Sequence, residues 1–372
     1  MKYLDVVVEN KSRHTDSFFT YRAPDETELR IGDKVWVPFG RGDKTKAGFV
    51  FAFPEHISCP EQKIKEIEGV DAAGSLNREM MKTAAWMKQR YAITYSDAIS
   101  CFCVKGKPPR EGKAKEPYKD LPGRDERPAA LTEEQTASVE RINEAIAASR
   151  HEIFLLHGVT ASGKTEVYME AIDKCLKLDK TAIMLVPEIA LTNQIMEHFI
   201  GRFGKDRLAV MHSKLTPRER YDEWHRIRSG RARMGVFAPA ENIGLIIMDE
   251  EHEATYKSDM TPKYDTVEVA AKRLQTTGGV LLLGSATPSV VSYERAKEGI
   301  YQLLTLKQRY NRNPLPRVEI VDMREELRAG NTNIFSRRLY TAIEETLKKG
   351  QQVILFQNRR GYSNFVSCRA CG

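Results

Sequence analysis

Two glycines, a lysine and a threonine in the run His157-Gly158-Val159-Thr160-Ala161-Ser162-Gly163-Lys164-Thr165 have the types and spacing to hold phosphate. Gly158 and Gly163 let backbone amides turn inward around phosphate oxygens, with Thr160 and Ser162 inside the same cradle. Lys164 brings a point charge to the β- and γ-phosphates, and the Thr165 hydroxyl can hold Mg2+. Such a loop works only between a strand and a helix, where the helix N-terminus adds its partial positive charge. The apolar run Ile153-Phe154-Leu155-Leu156 precedes it, and residues 166–172 read as a helix. The expected ligand is therefore a nucleotide with Mg2+.

A second chemistry-bearing group, Asp249-Glu250-Glu251-His252, directly follows the apolar run 244–248. The C-terminal end of a parallel strand is where ligands bind in such sheets. Asp249 suits the Mg2+ shell, and Glu250 is placed to activate the water that attacks a γ-phosphate. With Lys164 these are the expected catalytic residues; Glu251 and His252 would relay between nucleotide and moving parts. Ser285 and Thr287, in Gly284-Ser285-Ala286-Thr287-Pro288, follow the next apolar run in the same way. Their hydroxyls can re-pair with the acidic group and couple hydrolysis to movement.

The elements that must position these groups follow from periodicity. Continuous apolar runs at 153–156, 182–186, 208–211, 244–248 and 280–283 alternate with helical stretches such as 191–203. That pattern predicts a parallel sheet covered on both faces. Thr132 and Gln135 form a capping box opening a helix through about residue 148. Residues 353–356 begin a second such pattern. Upstream, residues 1–60 are β-rich, with strand-like runs at 6–8, 17–21, 34–39 and 47–52. Residues 76–96 read as one helix whose stripe of Met80, Ala84, Trp86, Met87 and Tyr91 is core. Residues 105–130 are charged and rich in helix breakers, the composition of a mobile linker.

At 372 residues the chain has room for two or three domains. Its formal net charge of +7 is a mild bias toward polyanions. No apolar run approaches the ~18 residues a membrane span needs, and the N-terminus is acidic too early for a signal peptide. Six cysteines scattered along the chain argue against a disulfide framework and for the cytoplasm. Cys368 and Cys371 alone have ligand-like spacing, one pair where structural zinc needs four ligands.

In this order the three motifs resemble those of superfamily-2 helicases. The segments Leu185-Val186-Pro187-Glu188-Ile189-Ala190-Leu191-Thr192, His212-Ser213-Lys214-Leu215, Asp249 to Glu253 with Tyr256-Lys257, and Gln357-Asn358-Arg359-Arg360-Gly361-Tyr362 sharpen the match. So do Phe18-Phe19-Thr20-Tyr21 and Gly32 to Gly40 upstream. Together they are similar to the PriA family of primosomal replication-restart helicases (primosomal protein N′). The resemblance implies an α/β fold: a P-loop RecA-like helicase lobe preceded by a small β-rich DNA-binding module, with the start of a second RecA-like lobe.

It divides the chain into a 3′-DNA-end-binding module at 1–104, a linker at 105–130, lobe 1 at 131–310 and the start of lobe 2 at 311–372. It implies that Phe19, Tyr21, Gly40 and Lys65 form the 3′-end pocket, with Thr20 where some members have aspartate. Gln135 would read adenine. Glu188, Thr192, His212, Ser213, Tyr256, Lys257, Lys263 and Tyr264 would face single-stranded DNA. Expected partners are replication forks with a nascent 3′ end, single-stranded DNA, single-stranded-DNA-binding protein and the replicative helicase loader. The expected activity is ATP-driven 3′→5′ unwinding.

The chain departs from the family at four places. Ala161 stands where glycine is usual. The linker is too short for the expected winged helix. Residues 230–239 lack an expected strand, and lobe 2 stops near its beginning. Two zinc sites are expected in the family, but this chain carries only Cys368 and Cys371, half of one, so zinc binding by it alone is not expected. An incomplete chain unable to unwind DNA by itself is the resulting expectation. Its rivals are another superfamily-2 translocase and a non-catalytic fork-binding fragment.

Overall fold

The computed structural model describes residues 1–10, 12–57, 59–103, 117–118, 120–125, 127–187, 193–230, 232, 240–310, 314 and 316–356. They fall into two units, Met1–Asn313 and Pro314–Gly372.

The first unit opens with β1 (Lys2–Val8), β2 (Phe18–Ala23), β3 (Lys34–Phe39), β4 (Lys44–Ala52), β5 (Lys65–Glu66) and β6 (Gly69–Asp71), in the order β5-β2-β1-β4-β3-β6. Alternation puts Leu4, Val6 and Val8 of β1 on one face with Tyr21, Ala23, Val35, Val37 and Val50. Val7 and Phe49 point the other way, into a cluster with α1 (Arg78–Tyr91) and α2 (Tyr95–Ser100). The sheet is therefore buried on its inner face, and β1 and β4 are covered on the other face as well.

Residues 76–96, read above as one helix, form two. Ala92 takes the left-handed conformation at φ 52° and ends α1. Thr94 and Asp97 then form a reciprocal capping box that starts α2. The predicted stripe is core, with Met80, Ala84 and Met87 fully buried.

Next come α3 (Glu133–Ala147), β7 (Glu152–Gly158), α4 (Lys164–Lys177), β8 (Thr181–Leu185), α5 (Asn193–Phe203), α6 (Pro217–Arg228), β9 (Ile243–Asp249), α7 (Thr266–Thr277), β10 (Val280–Ser285), α8 (Val290–Lys297) and β11 (Gln302–Leu306). The sheet is parallel, in the order β11-β7-β10-β9-β8. Residues of α3, α4 and α5 cover one face and residues of α6, α7 and α8 the other. Every residue of β10 is buried, as a strand between two helical layers must be. The capping box of Thr132 and Gln135 opens α3 as expected.

Residues 208–211 are not a strand. The Val210 amide donates to the Glu223 carboxylate of α6 (2.7 Å), so a side chain takes the place of a ladder partner. The expected strand before Phe237 lies outside the described residues.

Part of the stretch read as a linker packs on the lobe. Tyr118 and Leu121 lie against the α3–α4–α5 cluster. The Arg124 amide donates to the Glu197 carbonyl (2.9 Å), and its guanidinium pairs with the Glu197 carboxylate (2.9 Å).

The β-rich module is joined to the lobe through its helices. Arg273 of α7 makes a bidentate pair with Glu79 of α1 (3.0 and 2.9 Å), both nearly inaccessible to solvent. Arg90 pairs with Glu268, and the Tyr91 hydroxyl donates to the same carboxylate (2.8 Å). Trp224 Nε1 donates to the Phe102 carbonyl (3.0 Å), and Val269 sits inside the module's helical cluster.

In the second unit, α9 (Met323–Arg328) and α10 (Arg337–Lys348) are held by Asn331, whose amide donates to Glu326 (2.6 Å) and the Phe335 carbonyl (3.0 Å). Residues 353–356, expected to begin a sheet, are not in a strand.

Candidate nucleotide and DNA-end sites

The phosphate loop, the acidic group and the Ser-Ala-Thr segment leave the C-terminal ends of three neighbouring strands, β7, β9 and β10, with β10 in the middle. Sequence separation of more than a hundred residues thus becomes side-by-side placement.

The phosphate loop is built for a guest. Gly163 holds φ +79° at the N-cap of α4, next to Gln135. Lys164 Nζ donates to the Gly158 carbonyl (3.0 Å). The Ser162 Oγ is buried with no partner, a cost that an anion in the loop would remove. Beside it lies a cleft of about 550 Å³ lined by Arg127, Gln135, Ala161, Thr165, Ile195 and Tyr310 among others. Gln135 forms the floor: its Nε2 donates to the Ser162 carbonyl (2.9 Å) and its Oε1 accepts from the Thr132 amide (2.8 Å). The residues present fit a nucleotide.

Ala161 sits at φ +63°, and its carbonyl accepts from the Tyr310 amide (2.9 Å). An L-residue there costs about 1–2 kcal/mol, partly offset by the lower unfolded-state entropy of alanine. Ala161→Gly is expected to stabilise the chain by roughly 0.5–1 kcal/mol and to tighten ATP binding. Thermal melts and nucleotide titration read both effects.

The acidic group is fixed from two sides. Asp249 Oδ1 accepts from the Tyr168 hydroxyl (2.9 Å), and its carbonyl accepts from Tyr256 (2.7 Å). Tyr168 lies on α4, behind the phosphate loop, and reaches Asp249 because Gly284 has no side chain. Burial pushes the Asp249 carboxyl above its usual range, opposed by the Tyr168 hydrogen bond. Burial also holds the Tyr168 phenol well above its ordinary value, so it stays a donor.

With its pKa raised on folding, Asp249 binds its proton more tightly in the native state. Its contribution to stability is therefore greatest at low pH and is lost as pH rises through the folded pKa. Asp249→Asn, which can still accept from Tyr168, should raise the melting temperature at pH 7. Melts at pH 5 and pH 7 should show a smaller gain at the lower pH.

Ser285 Oγ lies 2.8 Å from His252 Nδ1 and 3.4 Å from Glu250 Oε2, and it accepts from the Thr287 amide (2.9 Å). One hydroxyl serves all three when its proton faces Glu250 and His252 Nδ1 carries a hydrogen. Of the expected coupling residues, Ser285 thus meets Glu250 and His252, whereas Thr287 joins the group through its amide.

The end-pocket residues also converge. Phe19 stacks edge-on to Phe39 (5.0 Å), and the Tyr21 hydroxyl donates to the Pro38 carbonyl (3.1 Å), so β2 and β3 approach where the sheet curls. Lys65 lies beside Tyr21 in register and pairs with Asp43. Gly40, at φ +85°, has open space where a side chain would stand. Burial pushes the Tyr21 phenol up to about 12. Thr20 faces the opposite side and donates to Asp5 (2.8 Å).

The remaining expected DNA contacts divide. Lys257, Lys263 and Ser213 are exposed. Tyr256 is not presented for stacking: its ring is buried and its hydroxyl donates to the Leu185 and Asp249 carbonyls. Tyr264 packs into the module's helical cluster. His212 accepts the Lys214 amide on Nδ1 (3.2 Å), which leaves Nε2–H to face the Tyr118 hydroxyl (2.9 Å). Glu188, Thr192, Cys368 and Cys371 lie outside the described residues. Tyr168 was missed by sequence reasoning; it reads as one more apolar position of α4.

Residues 5–103 match the family model of the PriA 3′DNA-binding domain (3′BD), and residues 132–296 match that of the DEAD/DEAH box helicases. The replication restart protein PriA of Bacillus subtilis (strain 168) is 49% identical over 287 residues, 75% of this chain and 36% of that protein. PriA of Treponema pallidum (strain Nichols) is 36% identical over 373 residues, 96% of this chain and 54% of that protein. The chain thus spans about half or less of the length of these relatives. Among solved structures, RecG bound to a three-way DNA junction matches 62% of this chain and 31% of its own, with TM-score 0.40 and 20% identity. A 3′-DNA-binding domain model on the β-rich module, a helicase model on the P-loop lobe and relatives that match most of this chain lead to one conclusion: the chain belongs to the PriA family.

Proposed function

We propose that this chain serves replication restart: it holds the 3′ end of a nascent strand at a fork and uses ATP to move 3′→5′ on DNA. The observation that carries this reading is the convergence of the Ser162–Lys164 loop, Asp249–Glu250 and Ser285 at three adjacent strand ends. The β-rich module fixed to the same lobe supports the fork as the substrate.

Lys164 and the amides opening α4 would bind the phosphates, and Gln135 would read the base. Thr165 and Asp249 have the oxygen donors for Mg2+, which would neutralise phosphate charge when bound. Glu250 would take the proton of the attacking water. Ser285 and His252 would sense its charge. Exposed Lys257 and Lys263 would meet backbone phosphates, and Lys65 the terminal phosphate, beside the Phe19 and Phe39 rings. Single-stranded-DNA-binding protein and the helicase loader are the protein partners this role calls for, in the cytoplasm. No helix among the described residues is long and apolar enough to cross a membrane.

Fork binding with the 3′ end free or blocked, alongside ATP hydrolysis with and without single-stranded DNA, tests the reading. End-sensitive binding with DNA-stimulated turnover supports it; end-insensitive binding without turnover defeats it. A second reading, end capture without turnover, is favoured by Ala161 at φ +63° in the phosphate loop. It predicts end-sensitive binding and no hydrolysis.

A further inference from the structure

Glu250 adopts φ +48°, a left-handed conformation for a residue with a side chain. Such a conformation persists only where the surroundings over-determine it. On its N-terminal side, Asp249 is held by Tyr168 and Tyr256. On its C-terminal side stands Glu251, to which the function proposed above gives no role.

Glu251 is buried, at 6% exposure. Its Oε1 accepts from the Ser289 amide (2.6 Å), and its Oε2 accepts from the Ser292 hydroxyl (2.9 Å) and the Ser289 hydroxyl (3.2 Å). Its own amide donates to the Gly284 carbonyl (3.1 Å). The carboxylate therefore sits at the N-terminus of α8, where amide, hydroxyls and helix dipole all favour negative charge. Capping α8 does not require it, because Ser289 already accepts from the Ser292 amide (3.2 Å). What Glu251 adds is a tie across the sheet. It locks the turn after β9 to the turn after β10, with Glu250 and Ser285 between the two anchors.

We infer that Glu251 is a positioning residue: its clamp on Ser289 and Ser292 holds Glu250 in the left-handed conformation that aims its carboxylate at Ser285 and at the attacking water. The role in hydrolysis rests on the function proposed above; the clamp does not. Glu251→Gln keeps the volume but turns an NH2 group toward donors. Both turns should then loosen together.

The test uses the 372-residue chain and two variants, Glu251→Gln and Ser289→Ala. Ser289→Ala removes the α8 cap and the longest of the three bonds to Glu251, but keeps the Ser289 amide and the Ser292 hydroxyl that face it, so it chiefly reports destabilisation of that helix. Amide hydrogen exchange without nucleotide should accelerate in both 249–253 and 284–289 for Glu251→Gln. For Ser289→Ala it should accelerate in α8 alone. Where the parent chain hydrolyses ATP, Glu251→Gln should lower the rate by roughly tenfold or more, with ATP affinity within about twofold. Unchanged protection of 249–253 in Glu251→Gln, or the same exchange pattern in both variants, overturns the clamp. Accelerated exchange with an unaltered hydrolysis rate overturns the positioning role. A parent chain that binds no ATP, with the coupled exchange intact, defeats the proposed function and leaves the clamp standing.

Discussion

Gly284→Ala is expected to destabilise the chain by about 3 kcal/mol or more and to abolish the ATP turnover proposed for it. A Cβ at residue 284 would stand 1.7 Å from the Tyr168 hydroxyl and 2.8 Å from Tyr168 Cζ. Gly284 is also in register with Asp249, so its missing side chain is the opening through which α4 reaches the acidic strand end. Overpacking a full core costs ~1–3 kcal/mol. Pulling the phenol off a buried carboxylate costs a further ~1.5–3 kcal/mol. A melting temperature lower by roughly 6–12 °C would register the change. Tyr168→Phe in the same chain removes the closest clash and should restore part of the loss, so the pair should be less destabilised than the sum of the two single variants. Strict additivity would mean that Tyr168 does not use this opening.

Arg273→Met should cost about 3–5 kcal/mol, because it strands Glu79 in the seam between module and lobe. Glu79 accepts both Arg273 bonds and one from the Thr83 hydroxyl (3.0 Å). Removing the guanidinium also removes its contact with the Phe102 ring (5.3 Å). The double variant Glu79→Leu, Arg273→Met leaves no buried charge and should recover most of the loss. Chemical denaturation followed by tryptophan fluorescence is informative here, since Trp86 lies in the module cluster and Trp224 at the seam. A double variant as unstable as Arg273→Met alone would refute this account.

The parts legible in the sequence are those that one contiguous run specifies. The phosphate loop carries its glycines, lysine and threonine together, and Thr132 with Gln135 announces a helix start. The continuous apolar runs of β9 and β10 follow from burial on both faces. What escaped depends on residues far apart meeting in space. Tyr168 reaches Asp249 only because Gly284 lies between them. Glu223 turns residues 208–211 away from a ladder, although their apolar run suits one. The break at Ala92 rests on a left-handed residue of ordinary helix-forming type. Tyr256 has the composition of a stacking residue, yet its hydroxyl has two carbonyls to satisfy inside the lobe. Phe19 and Tyr21 show the reverse: the chemistry of their types reads as core, and Tyr21 is indeed buried; pairing with β5 sets Lys65 beside Tyr21, and the curl of the sheet brings the end of β3 near both.

The stretch between module and lobe is pinned at both ends. On one side Phe102 is held by Trp224 and Arg273. On the other, Tyr118 and Leu121 lie against the α3–α4–α5 cluster and Arg124 is tied to Glu197 of α5. Any sequence joining residues 103 and 117 therefore spans two points fixed on one body. Lengthening such a closed segment costs only about 0.6 kcal/mol of loop-closure entropy per doubling. An inserted domain would be carried there as a passenger on a double tether, leaving the contacts between the β-rich module and the P-loop lobe as they are.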